Sequence, residues 1–239
     1  MFDIGIIGGS GYTVVSSWYG TIPAGAYIAI LTAVVLAAYF IGNISPSTII
    51  AKANGIDIKS EGSGNAGTTN ALRVLGKKAG AITLVVDAMK GTLAVLIGGL
   101  FGGCIGEVLC AVAVFIGHVW PVIYRFRGGK GVATVFGAAL GLNPLLALSV
   151  LAVVAAVVFA TKRMSAGSIA GAISFPFLAL WLEPFFFWPG LVIALLVIYN
   201  HRANIIRLCK GEEPVMSIFA KNGDDKKNAG EFPEDRDER

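Results

Sequence analysis

Seven long apolar stretches, separated by short polar ones, dominate the sequence. They lie near residues 26–44, 80–101, 104–124, 131–143, 145–160, 166–182 and 185–200. A helix needs roughly 20 apolar residues to cross about 30 Å of hydrocarbon, and several stretches are shorter, so we expect some tilted or interfacial helices. The stretch at 131–143 is the weakest of the seven. The pattern predicts an all-α integral membrane protein with about seven transmembrane helices.

The overall composition agrees with a membrane protein. Of the 239 residues, 55% are hydrophobic and only 14% are charged, whereas soluble domains carry about 25% charged residues. The three cysteines have neither the pairing nor the spacing of a disulfide or metal site, and the two histidines lie far apart in the sequence. We therefore expect no metal centre and no redox role.

The distribution of cations predicts the orientation of the helices. Fourteen Lys and Arg residues precede residue 211, and all except Lys90 fall in four basic clusters, at 52–78, 125–130, 162–163 and 202–210. With seven spans, these clusters lie on one side. The connections on the other side, near residues 102–104, 143–145 and 183–186, contain no lysine or arginine. Two of them contain a proline, in NP at 143–144 and EP at 183–184, that predicts a turn between helices. The positive-inside rule then places the amino terminus outside and the carboxyl terminus in the cytoplasm.

Three regions differ in composition. Residues 1–25 precede the first apolar stretch and are predicted to form an external amino-terminal extension. Residues 26–213 form the polytopic membrane domain. Residues 214–239 are polar, rich in carboxylates and without a periodic apolar face, so we expect a disordered cytoplasmic tail.

A glycine-rich segment, EGSGNAGTTNALRVLGKK, occupies residues 61–78 in the first basic cluster. Glycines let the backbone curl so that N–H groups point inward, and the amino terminus of a helix adds partial positive charge. Both features favour an anion such as phosphate. If it stood alone, this segment would be explained as well by a polar connection between spans.

A second segment, GHVWPVIYRFRGGKGVAT, covers residues 117–134. Lys130 lies where its glycine loop meets a predicted helix, and the residues that follow do not fit a Walker A loop. Anchoring at the inner membrane face accounts for Arg125 and Arg127. It does not account for the glycines around Lys130, because an anchor needs no special backbone.

A third segment, HRANIIRLCKGEE, covers residues 201–213, directly after the last apolar stretch. On a helix, His201, Asn204 and Arg207 are three residues apart and project from a similar face. Arg202 and Lys210 are explained by interaction with lipid headgroups. A histidine at the interface is often only structural, but the two other glycine-rich segments on the same side favour a site that includes His201.

Two charged residues, Asp87 and Lys90, lie three positions apart within an apolar stretch. Charges inside a membrane are costly and mark either a neutralising pair or a functional site. We interpret these two as a structural pair that supports the site, with a direct functional role as the alternative.

The three segments, in this order and at predicted cytoplasmic boundaries, resemble the signature segments of the bacterial acyl-phosphate:glycerol-3-phosphate acyltransferases, the PlsY family. The resemblance covers roughly residues 27–213. It implies a seven-helix membrane enzyme of phospholipid biosynthesis that moves a fatty acyl group from acyl phosphate to the 1-hydroxyl of glycerol 3-phosphate, giving lysophosphatidate and phosphate. It implies membrane lipid around the chain, no cofactor and no nucleic-acid partner, and it leaves the oligomeric state open.

The resemblance also implies roles for individual residues. It assigns catalysis to Lys130, His201 and Asn204. The substrate-binding residues that it implies are Ser63, Gly64, Asn65, Thr69, Asn70, Arg73 and, from the shorter segment MSAGSI, Ser168. This sequence departs from the family at Thr68, where alanine is usual, and at GNISPS, residues 42–47, which only approximates the usual Gly-Ser-Ile-Pro run.

Two other classes of protein share some of these features. An anion transporter or channel would also have several spans and an anion-binding face, but such proteins commonly contain internal repeats, and none is recognisable here. A structural membrane protein would leave the three glycine-rich and basic segments without a purpose. The pattern therefore favours an enzyme that acts on phosphate-bearing substrates at the cytoplasmic membrane face.

Overall fold

The computed structural model describes residues 23–216 and residue 219. Within these residues the chain forms eight α-helices and no β-strand, which confirms the predicted all-α class. The helices, numbered in chain order, are α1 Ala24–Gly42, α2 Pro46–Ala53, α3 Thr68–Val119, α4 Val132–Leu142, α5 Pro144–Thr161, α6 Met164–Leu182, α7 Phe187–Asn200 and α8 Arg202–Cys209. Short 3-10 turns lie at Val122–Tyr124 and Pro184–Phe186.

The longest helix, α3, is interrupted by two glycines. Gly76 and Gly103 have φ angles of 87° and 57°, in a region that residues with a side chain rarely adopt. After Gly103 the chain doubles back. Gly98 and Gly106, on either side of this turn, lie so close that a Cβ on either would overlap the carbonyl oxygen of the other. We therefore describe α3 as three arms, the first arm at 68–75, the middle arm at 77–102 and the last arm at 104–119. The break predicted near residues 102–104 is confirmed.

Proline marks two further turns, as the sequence predicts. The side chain of Asn143 accepts hydrogen bonds from the N–H groups of Leu145 and Leu146 and caps α5, while Pro144 occupies the first helical position, where no N–H is required. The second turn follows α6 at Glu183. Asn143 Nδ2 donates to Glu183 Oε1 at 2.9 Å, so the two turns contact each other.

Within residues 23–216, four helical segments are long and apolar enough to cross a membrane: α1, α3 extended to Tyr124, α5 and α6. A fifth is counted if the 59° bend between the Pro184–Asn200 segment and α8 lies within one broken span. The remaining apolar helix, α4, has only 11 residues. Large apolar side chains such as Trp181 and Trp188 are mostly exposed, which is typical of a lipid-facing surface. The chain is thus a multi-pass membrane protein, and the count of seven spans stays a prediction.

Small residues bring α1 against the last arm of α3. Gly42 and Gly117 approach so closely that a Cβ on Gly42 would overlap the backbone of the last arm, as in many membrane helix pairs. At the same end, the Tyr39 hydroxyl donates to the Trp120 carbonyl at 2.9 Å. This packing fixes the end of the last arm, from which the second glycine-rich segment emerges.

The two terminal regions lie almost entirely beyond the described part of the chain. The predicted extension at 1–25 is described only from residue 23, and the predicted disordered tail is described only at 214–216 and residue 219. At that point the Met216 N–H donates to the Lys162 carbonyl at 2.9 Å. The beginning of the tail therefore contacts the connection between α5 and α6.

Candidate active site

Four polar side chains form a connected network where the loop before α4 meets α8. The Lys130 ammonium donates to Asn204 Oδ1. Asn204 Nδ2 donates to Glu213 Oε1 at 2.6 Å, and Arg207 Nε donates to Glu213 Oε2 at 2.7 Å. The second and third glycine-rich or basic segments, which are distant in the sequence, are therefore joined directly.

The local fold of α8 explains why Glu213 reaches this network. Asn204 and Arg207 are three residues apart and lie on one face of the helix, so both contact the same carboxylate. Gly211 has a φ angle of 74° and turns the chain back toward that face. The Arg163 guanidinium then donates to the Glu213 backbone carbonyl at 3.0 Å. Glu213 is only 8% exposed as a result.

His201 lies at the bend between α7 and α8 and is 3% exposed. Its Nδ1 is 2.8 Å from the Val197 carbonyl oxygen. Because a carbonyl can only accept, Nδ1 carries the hydrogen and Nε2 carries a lone pair. Burial lowers the pKa of His201 to about 4, and the nearby charge of Lys130 contributes to the decrease. His201 is therefore a neutral imidazole at pH 7, with Nε2 as a hydrogen-bond acceptor.

Positive charge exceeds negative charge in the network. Burial lowers the pKa of Lys130 to about 8, although Glu213 opposes the decrease, and Arg207 and Arg73 add to it. Burial would raise the pKa of Glu213, but hydrogen bonds from Asn204 and Arg207 outweigh it and hold the pKa below its ordinary value. The three cations Lys130, Arg207 and the neighbouring Arg73 thus share one ionised carboxylate, that of Glu213, in a half-buried position. Such an excess of positive charge is the electrostatic requirement for binding an anion.

The loop that carries Lys130 is fastened to the end of α3. The N–H groups of Gly128 and Gly129 donate to the carbonyls of Val119 and His118 at 3.0 and 3.1 Å. Lys59 Nζ donates to the Gly128 carbonyl at 3.0 Å, which connects this loop to the chain just before the first glycine-rich segment. The loop therefore has a defined position even though it is rich in glycine.

Asn70 holds the first glycine-rich segment in shape. This side chain is 1% exposed, and its Oδ1 accepts the Ser63 N–H at 2.9 Å. Its Nδ2 donates to the carbonyls of Glu61 and Ile58 at 3.0 and 3.3 Å. Gly62 has a φ angle of 58°, and a Cβ there would overlap the Asn70 amide. Asn70 was predicted to bind substrate, and in the structure its polar atoms are engaged by the loop itself.

The other six predicted substrate-binding residues lie in the first glycine-rich segment and on α6. Arg73 lies on the first arm of α3, close enough to the network to influence the pKa of Lys130. Ser168 lies on α6, and its hydroxyl donates to the Met164 carbonyl at 3.0 Å. The remaining four also belong to the first segment and are exposed or partly buried: Ser63, Gly64, Asn65 and Thr69. The structure thus brings Arg73, Lys130, His201 and Asn204 together, with the first segment beside them.

Sequence reasoning missed two contributors to this arrangement. Glu213 was noted only as the end of the third segment, although a carboxylate just after a basic helix and a glycine is a natural partner for cations on that helix. Lys59 lies just before the first glycine-rich segment and was treated only as part of a basic cluster. Among residues 23–216, no three His, Cys, Asp or Glu side chains are placed to hold a metal ion.

Comparison with known proteins identifies the family. A protein-family model described as glycerol-3-phosphate acyltransferase matches residues 32–211. The chain belongs to the glycerol-3-phosphate acyltransferase family. A relative of that name from Clostridioides difficile (strain 630) is 47% identical over 191 residues, covering 75% of this chain and 92% of the relative. Another, from Thermoanaerobacter sp. (strain X514), is 46% identical over 188 residues, covering 77% and 94%.

Solved structures of the glycerol-3-phosphate acyltransferase family share this fold. The crystal structure of PlsY, an integral membrane glycerol 3-phosphate acyltransferase, in its glycerol 3-phosphate form matches with a TM-score of 0.75 and 34% identity, covering 79% of this chain and 96% of that one. The lysophosphatidic acid form matches with a TM-score of 0.72 and the same identity, covering 78% and 95%. The resemblance to the PlsY family found in the sequence is confirmed, and the chain is an integral membrane acyltransferase.

Proposed function

We propose that this acyltransferase moves a fatty acyl group from acyl phosphate to the 1-hydroxyl of glycerol 3-phosphate, releasing lysophosphatidate and phosphate. The observation that carries this proposal is the half-buried excess of positive charge from Arg73, Lys130 and Arg207, located beside the neutral imidazole of His201. The solved relative was crystallised in a glycerol 3-phosphate form and in a lysophosphatidic acid form, which are the acceptor and the product of the proposed reaction.

The position of the site suits both substrates. Each carries a phosphate group, while only the acyl chain belongs in lipid. The cations lie at the end of apolar helices, so charge can bind the phosphate groups while the helices contact the chain. Lys130 donates to Asn204, and we expect a phosphate oxygen of a bound substrate to take over part of that contact.

The reaction needs alignment and charge stabilisation more than a covalent intermediate. The 1-hydroxyl oxygen attacks the acyl carbonyl carbon, a new C–O bond forms, and the bond between that carbon and the phosphate oxygen breaks. Phosphate leaves with the electron pair. Acyl phosphate is already an activated donor, so the main tasks are to align the hydroxyl and stabilise negative charge on the carbonyl and phosphate oxygens. Lys130 is placed for the second task.

His201 is suited to orienting the hydroxyl. Its Nδ1–H is held by the Val197 carbonyl, which leaves Nε2 to accept a hydrogen bond from the 1-hydroxyl. With a pKa of about 4, His201 is a weaker base than a phosphate group, since the second ionisation of a phosphate monoester has a pKa of about 6 and the oxygen released with the electron pair is more basic still. The proposal therefore gives the hydroxyl proton to the phosphate leaving group and the positioning of the hydroxyl to His201.

The contacts also support seven spans with the site in the cytoplasm. Lys59, Lys130, Arg163 and Arg207 belong to the four basic clusters, and contacts with Gly128, Asn204 and Glu213 connect them at one end of the protein. Between consecutive clusters the chain passes through two helical segments, which must leave that end and return. Adding α1 gives seven crossings. The positive-inside rule then favours an amino terminus outside and a carboxyl terminus in the cytoplasm, which fits a protein of the cell (inner) membrane.

Purified protein in detergent tests the reaction. Incubation with acyl phosphate and glycerol 3-phosphate is expected to yield lysophosphatidate and phosphate in equal amounts, and omission of glycerol 3-phosphate should abolish lysophosphatidate. Acyl-CoA at the same concentration is expected to serve poorly. Comparable turnover with acyl-CoA would contradict the proposed donor. An anion transporter would form no product, because transport requires two compartments.

A further inference from the structure

Three buried polar side chains lie inside α3, outside the network described above. Asp87 and Lys90 are on the middle arm, and His118 is near the end of the last arm. They are 1%, 3% and 6% exposed. Lys90 Nζ lies 2.6 Å from Asp87 Oδ1, which confirms the pair predicted from the sequence. We call Asp87, Lys90 and His118 the buried triad.

Lys90 is the centre of the triad, and its ammonium is surrounded by acceptor atoms. An ammonium has three N–H groups, and three acceptors surround this one. Besides Asp87, they are the Ile44 carbonyl at 2.8 Å and His118 Nδ1 at 2.7 Å. His118 Nδ1 also lies 3.5 Å from Asp87 Oδ1, but its shorter contact is with the ammonium, which cannot accept, so Nδ1 carries the lone pair and Nε2 carries the hydrogen. Lys90 therefore fixes both the tautomer and the ring orientation of His118.

His118 in turn supports the loop that carries Lys130. Its backbone carbonyl accepts the Gly129 N–H at 3.1 Å. Its ring lies so close to Gly129 that a Cβ there would overlap Nε2, and that same Cβ position is 3.0 Å from the Ala66 carbonyl oxygen. The imidazole of His118 thus borders the point where the first and second glycine-rich segments meet, one residue before Lys130.

We propose that Asp87, Lys90 and His118 are positioning residues, which set the placement of the Gly128–Gly129 loop and thereby of the Lys130 ammonium. This inference rests on the proposed role of Lys130 in binding substrate phosphate. Simple helix pairing would require only the ion pair between Asp87 and Lys90. It would not require a histidine whose ring is oriented by the lysine and packed beneath the glycine that precedes Lys130.

A double variant separates positioning from helix stability. Asp87→Leu/Lys90→Met removes both charges together and keeps apolar volume, and replacing a buried ion pair in this way is often neutral or stabilising. The Ile44 carbonyl and His118 Nδ1 lose their donor, so we expect a somewhat lower thermal midpoint in detergent with the fold retained. We expect kcat/KM for glycerol 3-phosphate to fall about 10- to 100-fold, because displacement of a binding group by about 1 Å has effects of that size. Wild-type kinetics in the folded double variant would overturn the proposal.

A second variant acts directly beneath the loop. In His118→Asn the side-chain oxygen can still accept from Lys90, so the helices remain paired, but the ring beside Gly129 is lost. We expect normal folding and a fall in kcat/KM of similar size. A matched control is Glu183→Gln, since Glu183 also joins two helix connections, through its hydrogen bond with Asn143. This contact lies at the other end of α4 from Lys130. Its kinetics should be unchanged. If both triad variants fail to fold, the triad is a folding element and the positioning role is wrong.

A labelling measurement tests the placement of Lys130 without relying on activity. The rate at which acetic anhydride modifies Lys130 can be followed by peptide mass spectrometry, with the exposed Lys78 as an internal reference. Release of the loop should raise the rate for Lys130 relative to Lys78 in both triad variants and not in Glu183→Gln. An unchanged ratio would contradict the proposal. If the wild type formed no lysophosphatidate, the proposed function would fail while labelling still decided the positioning claim.

Discussion

Asn204 Nδ2 donates to Glu213 Oε1 at 2.6 Å, and this contact determines which way the Asn204 amide points. With the nitrogen engaged by a carboxylate, the amide oxygen faces Lys130 and accepts from its ammonium. A carboxylate that touches no reacting atom therefore controls the group beside the proposed phosphate site. Arg207, which donates to the other oxygen of Glu213 at 2.7 Å, keeps that carboxylate in place.

Glu213→Ala should consequently reduce both stability and activity. The change leaves the Arg207 guanidinium and the Asn204 amide without their shared acceptor, and an unsatisfied buried group costs about 1–3 kcal/mol. We expect a lower thermal midpoint in detergent together with a lower kcat/KM for glycerol 3-phosphate. Glu212→Ala is the matched control, because Glu212 is the exposed neighbour. Equal effects of the two substitutions would show that Glu213 has no special role.

Asn70→Ala should destabilise the first glycine-rich segment. Asn70 makes three hydrogen bonds to loop backbone groups, and its loss leaves buried polar groups unpaired, at a cost of about 1–3 kcal/mol. The expected result is a lower unfolding midpoint in detergent. Asn54→Ala is a suitable comparison, since Asn54 is exposed and donates only to the carbonyl four residues earlier in its own helix. A normal midpoint for Asn70→Ala would mean that the loop does not depend on this side chain.

Binding of glycerol 3-phosphate should weaken as the pH rises through about 8. Burial lowers the pKa of Lys130 to about 8, so the ammonium is present below that pH and is lost above it. A bound phosphate favours the charged form, and binding near this pH should therefore take up protons. We expect KM for glycerol 3-phosphate to increase between about pH 8 and pH 9.5. Lys130→Arg, which stays charged, should show no such increase even though its activity is lower.

The helical framework could be predicted from the sequence, because hydrocarbon imposes long apolar stretches and because prolines and glycines end helices in recognisable ways. Asn143 with Pro144 and the break at Gly103 are examples. The partners of buried charges could not be predicted in the same way. His118 lies 28 residues from Lys90 in the sequence, and nothing in a periodic pattern states which side chains meet when the middle and last arms of α3 fold together.

The site shows the same division. The glycine-rich and basic segments drew attention to Lys130 and His201, because an anion site needs cations and a flexible backbone, and the family resemblance added Arg73 and Asn204. The segments did not show that Asn70 is engaged by its own loop, nor that Glu213 turns back onto α8. Both facts depend on hydrogen bonds formed only in the folded chain.

The orientation of the chain in the membrane can be measured with reporters. A reporter fused after residue 213 should be cytoplasmic, and one fused at residue 1 should be external, since the proposed seven crossings would place the termini on opposite sides and the basic clusters inward. Location of both reporters on the same side would exclude seven spans.

The role of Lys130 is the central claim, and its substitution tests that claim most directly. Acyl transfer should be measured for equal amounts of folded wild type, Lys130→Ala and Arg127→Ala across concentrations of glycerol 3-phosphate and acyl phosphate. Arg127 belongs to the same loop but is exposed, so its loss should matter less. For Lys130→Ala we expect a loss of about 2–4 kcal/mol of charge-assisted stabilisation, or roughly 30- to 1000-fold in kcat/KM, with unchanged membrane insertion. Near-normal activity of Lys130→Ala at limiting concentrations of both substrates would contradict the proposed phosphate site.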